Sequence, residues 1–515
     1  MDQPISLPVL SPLLSPRPRA KTLASPPAGS ISPVEKKEKC GVVGVWGHPH
    51  AARLCYLGLY AQQHRGQESA GIAVSSGRKL TAITGMGLVP EIFDPRTLQD
   101  LDEKGGVGAI GHNRYSTAGG SLACNAQPLL ESFIGGQVAL AHNGNLINND
   151  ALRLRFEEAG HIFHTTSDTE VIVHLLASPQ QQKSPDPLAA TLRRLQGAFS
   201  LLFLFPDRIE AARDPWGWRP LVLGWMPATE DSPRYPLVAS ETVALDVIGA
   251  EYEREIEPGE IITISGSGAK ITVTSRRFAP IADRPAHCVF EHVYFANPAS
   301  RVFGQNVQSV REAMGEMLSR EAPVAADYVM PMPDSGRSAA SGYARASGIP
   351  YREGIVPNRY VGRTFIKPSQ SERVAAVRLK LNVIADIVRG KELIVVDDSI
   401  VRGTTTKAKM DQIRQAGAKE IHLRISCPPI RHPCYFGVDF ATRDQLIAHN
   451  KTVEEVRQFL GVDTLHYLSL EGMLRCVDRP ASHYCTACYS GDYRLDPNLP
   501  LTDVVIDHEQ LKIFP

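Results

Sequence analysis

No apolar run approaches the ~18 residues that a membrane-crossing helix needs. Neither charge is in surplus: Lys+Arg and Asp+Glu both number 55. The first absence argues against a membrane protein. The second argues against a global basic field that would hold nucleic acid or an anionic surface. Cysteine is sparse, at nine in 515 residues. That is too few for a disulfide scaffold, and it fits a reducing cytoplasm in which clustered cysteines serve metals or catalysis. No segment spells Gly-x-x-x-x-Gly-Lys, so there is no phosphate loop of that type. "GVGAIG" at 106–111 does match Gly-x-Gly-x-x-Gly, but "HNRYST" follows it where a helix should. We read that match as chance, and no internal repeat of ~20–50 residues is visible.

What is present fits a globular chain: 43% hydrophobic and 21% charged residues, enough length for two to four domains at ~100–200 residues each. Residues 1–39, rich in Pro and Ser and ending in "EKKEK", have no helical or strand period and are expected to be disordered. They lack the basic start and unbroken apolar segment of a secretory signal. Acidic residues are scarce before Glu35, which keeps an organelle transit peptide as the alternative to a cytoplasmic location. From Cys40 to about 275, short runs such as "GVVGVWG", "AGIAVSS", "QVALAHNG" and "SLLFLFP" alternate with Gly, Pro and Asp turns. They predict stacked sheets. Two helical patterns interrupt them, "DALRLRFEEAG" and "SDTEVIVHLLAS", the second opening on a Ser/Asp cap. After about 300, strands alternate with helices, which predicts a parallel α/β sheet. The expected domains are a 1–39 tail, 40–280 and 281–515.

"LIVVDDSIVRGTT", 393–405, carries the clearest chemistry of the second half. A buried strand delivers Asp397 and Asp398 at its C-terminal end, where ligands sit in open α/β sheets. Two adjacent carboxylates there accept hydrogen bonds from a ribose diol and attract Mg²⁺. The small residues Gly403, Thr404 and Thr405 open a helix whose free N–H groups cradle phosphate. An acidic turn with a Thr cap would explain Asp-Asp alone, but not the three features together. This stretch resembles the phosphoribosyl-pyrophosphate (PRPP) loop of type I phosphoribosyltransferases. The resemblance implies PRPP binding by Asp397, Asp398, Ser399, Arg402, Gly403, Thr404 and Thr405, with Mg²⁺ as partner. "MPDSGRSAA" is similar to the family's pyrophosphate loop and places Ser335 near the metal. "NRYVGRTF" is similar to its mobile loop, whose Arg359 and Arg363 would neutralise pyrophosphate charge.

In the first half, "CGVVG", "QQHRGQESAGI", "GHNRYSTAG", "AHNGNLIN" and "TTSDTEVI" together resemble the N-terminal-nucleophile class of glutamine amidotransferases. That resemblance makes Cys40 the nucleophile, with its own α-amine, at pKa ~7.7–8, as the proton acceptor. It makes Asn143 and the Gly144 N–H the oxyanion donors, and assigns glutamine binding to Arg65, Arg114 and Asp168. Taken singly, His-Asn-Gly is a turn signal and Ser-Asp-Thr-Glu a helix cap. A free amine on Cys40 requires removal of 1–39. No Met lies between positions 2 and 39, so cleavage at Lys39–Cys40 is expected, autocatalysis included. A start near Val34 would leave only a short leader.

Cys485 and Cys488 form Cys-x-x-Cys, a spacing able to grip one metal. Cys288 and Cys434 are far away in sequence. Zinc, a redox pair or buried thiols all fit the spacing, with His287, His432 and His483 as further ligands. Cys55, Cys124, Cys427 and Cys476 are assigned to packing.

Both halves together resemble the glutamine PRPP amidotransferase family over about 40–495. The implied fold is an αββα N-terminal-nucleophile sandwich followed by a type I phosphoribosyltransferase domain. The implied reaction takes glutamine and PRPP to 5-phosphoribosylamine, opening purine synthesis. The family also implies a [4Fe–4S] cluster on Cys288, Cys434, Cys485 and Cys488, feedback inhibition by purine nucleotides, and a homotetramer. Glucosamine-phosphate synthase, glutamate synthase and asparagine synthetase share the glutaminase half, but the PRPP loop argues against them. A non-catalytic regulator that binds PRPP gives no reason to keep Cys40 with Arg114, Asn143 and Asp168.

Overall fold

The computed structural model describes residues 38–116, 122–230, 232–358, 381–438, 440 and 442–495. The strand predicted after Cys40 forms, but it runs Glu38–Trp46, two residues earlier than expected. Pairing of Glu38 with Ser116 and of Lys39 with Tyr115 prolongs the ladder into the charged segment. The remainder of the tail lies outside the described residues.

Glu38–Trp46 is central in a seven-stranded antiparallel sheet, between Tyr235–Ala239 and Gly108–Ser116. A second antiparallel sheet of six strands has Arg208–Arg213 and Gly197–Phe205 in its middle, with Gly136–Leu146 beside the latter. Strand period two decides how the sheets meet. Val42, Trp46 and Ile110 from the first sheet and Ala139, Ala141, Leu202 and Leu204 from the second form one buried cluster between them. The opposite faces are covered by helices. Ala51–Ala61 and Thr242–Ile248 pack over Val43 and Val45. Asn149–Glu158 and Asp168–Ala177 pack over Val138 and Leu140. The result is αββα layering. "GVGAIG" runs directly into the strand Gly108–Ser116, so it is no dinucleotide turn.

The second half contains a four-stranded parallel sheet in the order Tyr328–Pro331, Glu392–Asp397, Glu420–Ile425, Thr464–Tyr467. Of its central strands, Glu392–Asp397 carries the continuous apolar run Leu393–Val396 expected of burial on both faces, whereas Glu420–Ile425 alternates Ile421, Leu423 and Ile425 with His422 and Arg424. Helices Val307–Glu321 and Arg337–Ser347 pack against each other at backbone distance. A Cβ on Gly342 would lie 1.9 Å from the Glu312 carbonyl, and one on Gly315 would lie 1.9 Å from that of Ala339.

That closeness sets an expectation. Gly342→Ala should force the helices apart, cost ~1–3 kcal/mol as overpacking does, and lower the thermal unfolding midpoint by a few degrees. A midpoint equal to the parent's by calorimetry would show that the pair tolerates a methyl group.

Candidate functional site

The alternation that places Val42 between the sheets places Cys40 there too, two residues earlier on the same face. Asn143 follows Ala141 by two residues on the facing strand and points into the same space. Both are nearly inaccessible, at 0% and 2% exposure. Ser240 ties them together. Its backbone N–H donates to the Val42 carbonyl at 3.0 Å, and its Oγ accepts the Val42 N–H at 3.0 Å. The same Oγ accepts from Asn143 Nδ2 at 3.4 Å. Gly144 is irreplaceable for space, since a Cβ would stand 2.0 Å from the Ala198 carbonyl.

Arg114 is the cross-strand partner of Cys40 and lies 3.5 Å from Glu68. Asp168 opens its helix, capped by Ser167. It accepts the Leu146 N–H at 2.9 Å and lies 3.3 Å from His142 Nδ1, so it is tied to the Asn143 strand at two points. The expected set Cys40, Arg114, Asn143, Gly144 and Asp168 is therefore held on elements that are joined to one another. Arg65 is placed differently. Its guanidinium is clamped by Glu241 and Glu291, the latter at 2.5 Å. Burial opposes charge on Glu241, but Arg65 and His64 outweigh it and hold the carboxyl well below the usual range. Glu291 also receives Arg219 at 3.0 Å. Ser240, Glu241, Glu291 and His142 carry no sequence signal of their own: their partners are long-range.

The second site forms at the C-terminal ends of the parallel strands. Asp397 ends its strand and Asp398 follows, both buried. Ser335, in the turn after Tyr328–Pro331, donates to Asp398 Oδ1. Gly403, with φ of 76°, precedes the helix Thr404–Gln415. A side chain there would be strained in backbone and would meet Ile447 at 2.7 Å. Arg402, Thr404 and Thr405 are exposed beside this cradle, and Ser399 donates to Asp398. Burial pushes Asp397 up to about 7, with Asp398 adding to the rise and Lys409, 4.0 Å away, opposing it. Arg359 and Arg363 lie outside the described residues.

The four cysteines are brought together from three segments. His287–Cys288 pairs in parallel with Tyr484–Cys485, which sets Cys288 directly beside Cys485. Cys488 follows one turn later, and its carbonyl accepts the N–H groups of Arg431 and His432, at the start of the Cys434 loop. Each of the four thiols lies within electrostatic range of the other three. Burial, opposed by Arg219 and aided by Glu291 and then the neighbouring thiols, pushes Cys288 up to about 12, while burial and then the neighbouring thiols push Cys488 well above its ordinary value. Burial likewise pushes Cys485 up to about 11. Among the described residues no group of three or more His, Cys, Asp or Glu is placed to hold a metal ion. The nest offers thiols alone as donors, the ligand type of iron–sulfur clusters. His287 is engaged elsewhere, with Gly217 O at 2.9 Å and Arg479 at 3.1 Å. Cys427 stands between the two sites: burial, then Asp398, raises its thiol pKa, while Cys488 and Tyr489 also feel it.

Residues 112–246 match the glutamine amidotransferase domain family. The chain is 48% identical over 93% of its length to the amidophosphoribosyltransferase of Methanothermobacter thermautotrophicus, covering 98% of that protein. This chain belongs to the amidophosphoribosyltransferase family. It is 46% identical to the Bacillus subtilis amidophosphoribosyltransferase over 92% of its length, covering 96% of that protein. The solved B. subtilis glutamine PRPP amidotransferase, complexed with ADP and GMP, superimposes with a TM-score of 0.80 at 44% identity, covering 91% of this chain and all of that one. As an amidophosphoribosyltransferase the chain is a pentosyltransferase enzyme, with the glutaminase sandwich and phosphoribosyltransferase sheet described above. No helix among the described residues is long and apolar enough to cross a membrane.

Asp397 gives a pH signature. Its carboxyl titrates near 7 in the folded chain against ~3.9 unfolded. Its contribution to stability is therefore full below about pH 4 and is lost as pH rises through about 7. With metal chelated, Asp397→Asn should gain stability over the parent between pH 5 and 7, with the gap level above about 8. A gap in unfolding midpoint that does not change with pH would contradict this environment.

Proposed function

We propose that this chain converts glutamine and Mg²⁺-PRPP to 5-phosphoribosylamine, glutamate and pyrophosphate, the first committed step of purine synthesis. The observation that carries the reading is the inward pairing of Cys40 with Asn143 in one chain with the Asp397–Asp398–Gly403 cradle.

Cys40 Sγ attacks the side-chain carbonyl carbon of glutamine. The proton passes to the Cys40 α-amine, which is free once residues 1–39 are removed. Asn143 Nδ2 and the Gly144 N–H receive the oxyanion. Ammonia leaves, a thioester remains, and water hydrolyses it to glutamate. Arg114 and Asp168 supply the charges that match the α-carboxylate and α-ammonium of the substrate. Ammonia crosses inside the protein, since in neutral water it is mostly protonated and not nucleophilic. It attacks C1 of PRPP with inversion as the C1–O bond to pyrophosphate breaks. Asp397 and Asp398 hold the ribose hydroxyls and Gly403–Thr405 hold the 5-phosphate; the family pattern gives Arg359 and Arg363 the task of neutralising pyrophosphate charge. Ser335, Asp397 and Asp398 would hold Mg²⁺, which would supply neutralisation of the pyrophosphate charge.

The four-thiol set would hold a structural [4Fe–4S] cluster on Cys288, Cys434, Cys485 and Cys488. Purine nucleotides are the expected feedback inhibitors, consistent with the ADP and GMP bound in the B. subtilis structure, and a homotetramer is the expected assembly.

Three outcomes test this. Cys40→Ala should abolish glutamine-dependent pyrophosphate release and keep ammonia-dependent release within about threefold; equal loss of both would make Cys40 structural. The mass of the active protein should begin at Cys40, and an active species retaining Lys39 would defeat the amine as base. Cys485→Ser should lose iron and the visible absorbance band of the purified protein. Zinc in place of iron would overturn the cluster.

A further inference from the structure

The strand that carries the proposed oxyanion donors touches the loop that carries Cys434. Asn145 Nδ2, one residue beyond Gly144, donates to the Tyr435 carbonyl at 2.8 Å. Gly437 lies against Gly144 itself: a Cβ on Gly437 would stand 3.1 Å from the Gly144 carbonyl carbon and 3.2 Å from its oxygen. With φ of 91°, Gly437 adopts a conformation that favours glycine. Between these contacts the loop is pinned. The Phe436 N–H donates to Cys434 Sγ at 3.3 Å, the Phe436 carbonyl accepts from Arg219 at 2.8 Å, and the Phe436 ring stacks on Trp218 at 4.3 Å. Gly144 is thus held on one side by Ala198 and on the other by the residue three places after Cys434.

We propose that Asn145 is a positioning residue that couples the oxyanion strand to the Cys434 loop, so that glutamine hydrolysis depends on whether the four-thiol nest is filled. The proposal rests on the roles given above to Asn143, Gly144 and the four cysteines. The physical reason is short reach. Tyr435 is covalently next to Cys434, so a shift of that sulfur moves the carbonyl that Asn145 grips. A displacement of order 1 Å at catalytic donors can cost ~10²-fold in rate. Asn145 has no place in PRPP chemistry, so ammonia-dependent turnover is insulated from the coupling. The same link gives a second signature: an adduct on Cys40 that fills the oxyanion site restrains the strand and, through the Asn145–Tyr435 hydrogen bond, the Cys434 loop.

The test uses the mature full-length enzyme with Asn145→Ala and with Asn145→Asp, which keeps the size but loses the donor. Both should lower kcat with glutamine by ~10-fold or more with KM within about threefold, and leave ammonia-dependent pyrophosphate release within about twofold. Both should also speed the loss of visible absorbance in air. In the parent, labelling of Cys40 with a diazoketone analogue of glutamine should slow that loss, and in the variants it should not. Unchanged kcat with glutamine, or unchanged bleaching, would overturn the coupling. So would parallel loss of the glutamine and ammonia activities, which would mark Asn145 as a folding residue. A Cys40→Ala enzyme that still used glutamine, or a parent free of iron, would instead remove the reading on which the coupling stands.

Discussion

The halves of this molecule are pinned by a buried run of alternating charge: Glu241, Arg65, Glu291, Arg219. Glu291 is 0% exposed; Arg65 donates to both of its carboxylate oxygens and Arg219 donates to Oε1 at 3.0 Å. It is the one member contributed by the second half of the chain. Glu241 is equally buried and is satisfied by Arg65, His64, Ser300 and the Asn297 N–H. Deleting one partner from such a set leaves an uncompensated buried charge, typically worth ~3–5 kcal/mol. The attraction between the halves is therefore specific in register. Arg219 extends the run to the Phe436 carbonyl, beside Cys434. One network thus fixes the glutaminase sheets, the phosphoribosyltransferase half and the cysteine nest against each other.

Burial alone does not decide how a carboxyl behaves here. Glu241 and Asp397 are both deeply buried, yet Glu241 is held charged far below its ordinary range while Asp397 rises to about 7. The difference is the nearest cation. Arg65 makes contact with Glu241, whereas Lys409 stands 4.0 Å from Asp397 and a second carboxyl adjoins it. The first arrangement cements structure. The second leaves a pair of acids in want of a cation, which is what a site for a metal-bound polyanion needs.

Local chemistry was legible in the sequence. The strand with Asp397, the helix after Gly403 and the capped helix at Asp168 follow from apolar runs, glycine and capping residues. The inward face shared by Cys40 and Asn143 follows from strand alternation once the sheets are known. His-Asn-Gly, which taken singly signals a turn, lies inside the strand Gly136–Leu146 because the neighbouring strand Gly197–Phe205 pairs with it. Long-range pairs were not legible. Ser240 meets Asn143 across 97 residues, Asn145 meets Tyr435 across 290, and Arg65 meets Glu291 across 226. Spacing along the chain carries no record of those distances. The same limit left the cysteines with several readings; Cys427, assigned to packing, is fully buried and also feels the charge of Asp398.

The early start of the first strand bears on timing. Lys39 and Cys40 are consecutive rungs of a ladder in the middle of a seven-stranded sheet, opposite Tyr115 and Arg114, with the Cys40 side chain shut from solvent. A protease must draw extended backbone into its own cleft, and one edge of Lys39–Cys40 is already engaged by Tyr115 and Arg114. The cleavage proposed at this bond must then either precede closure of the ladder or be carried out by groups already within the fold.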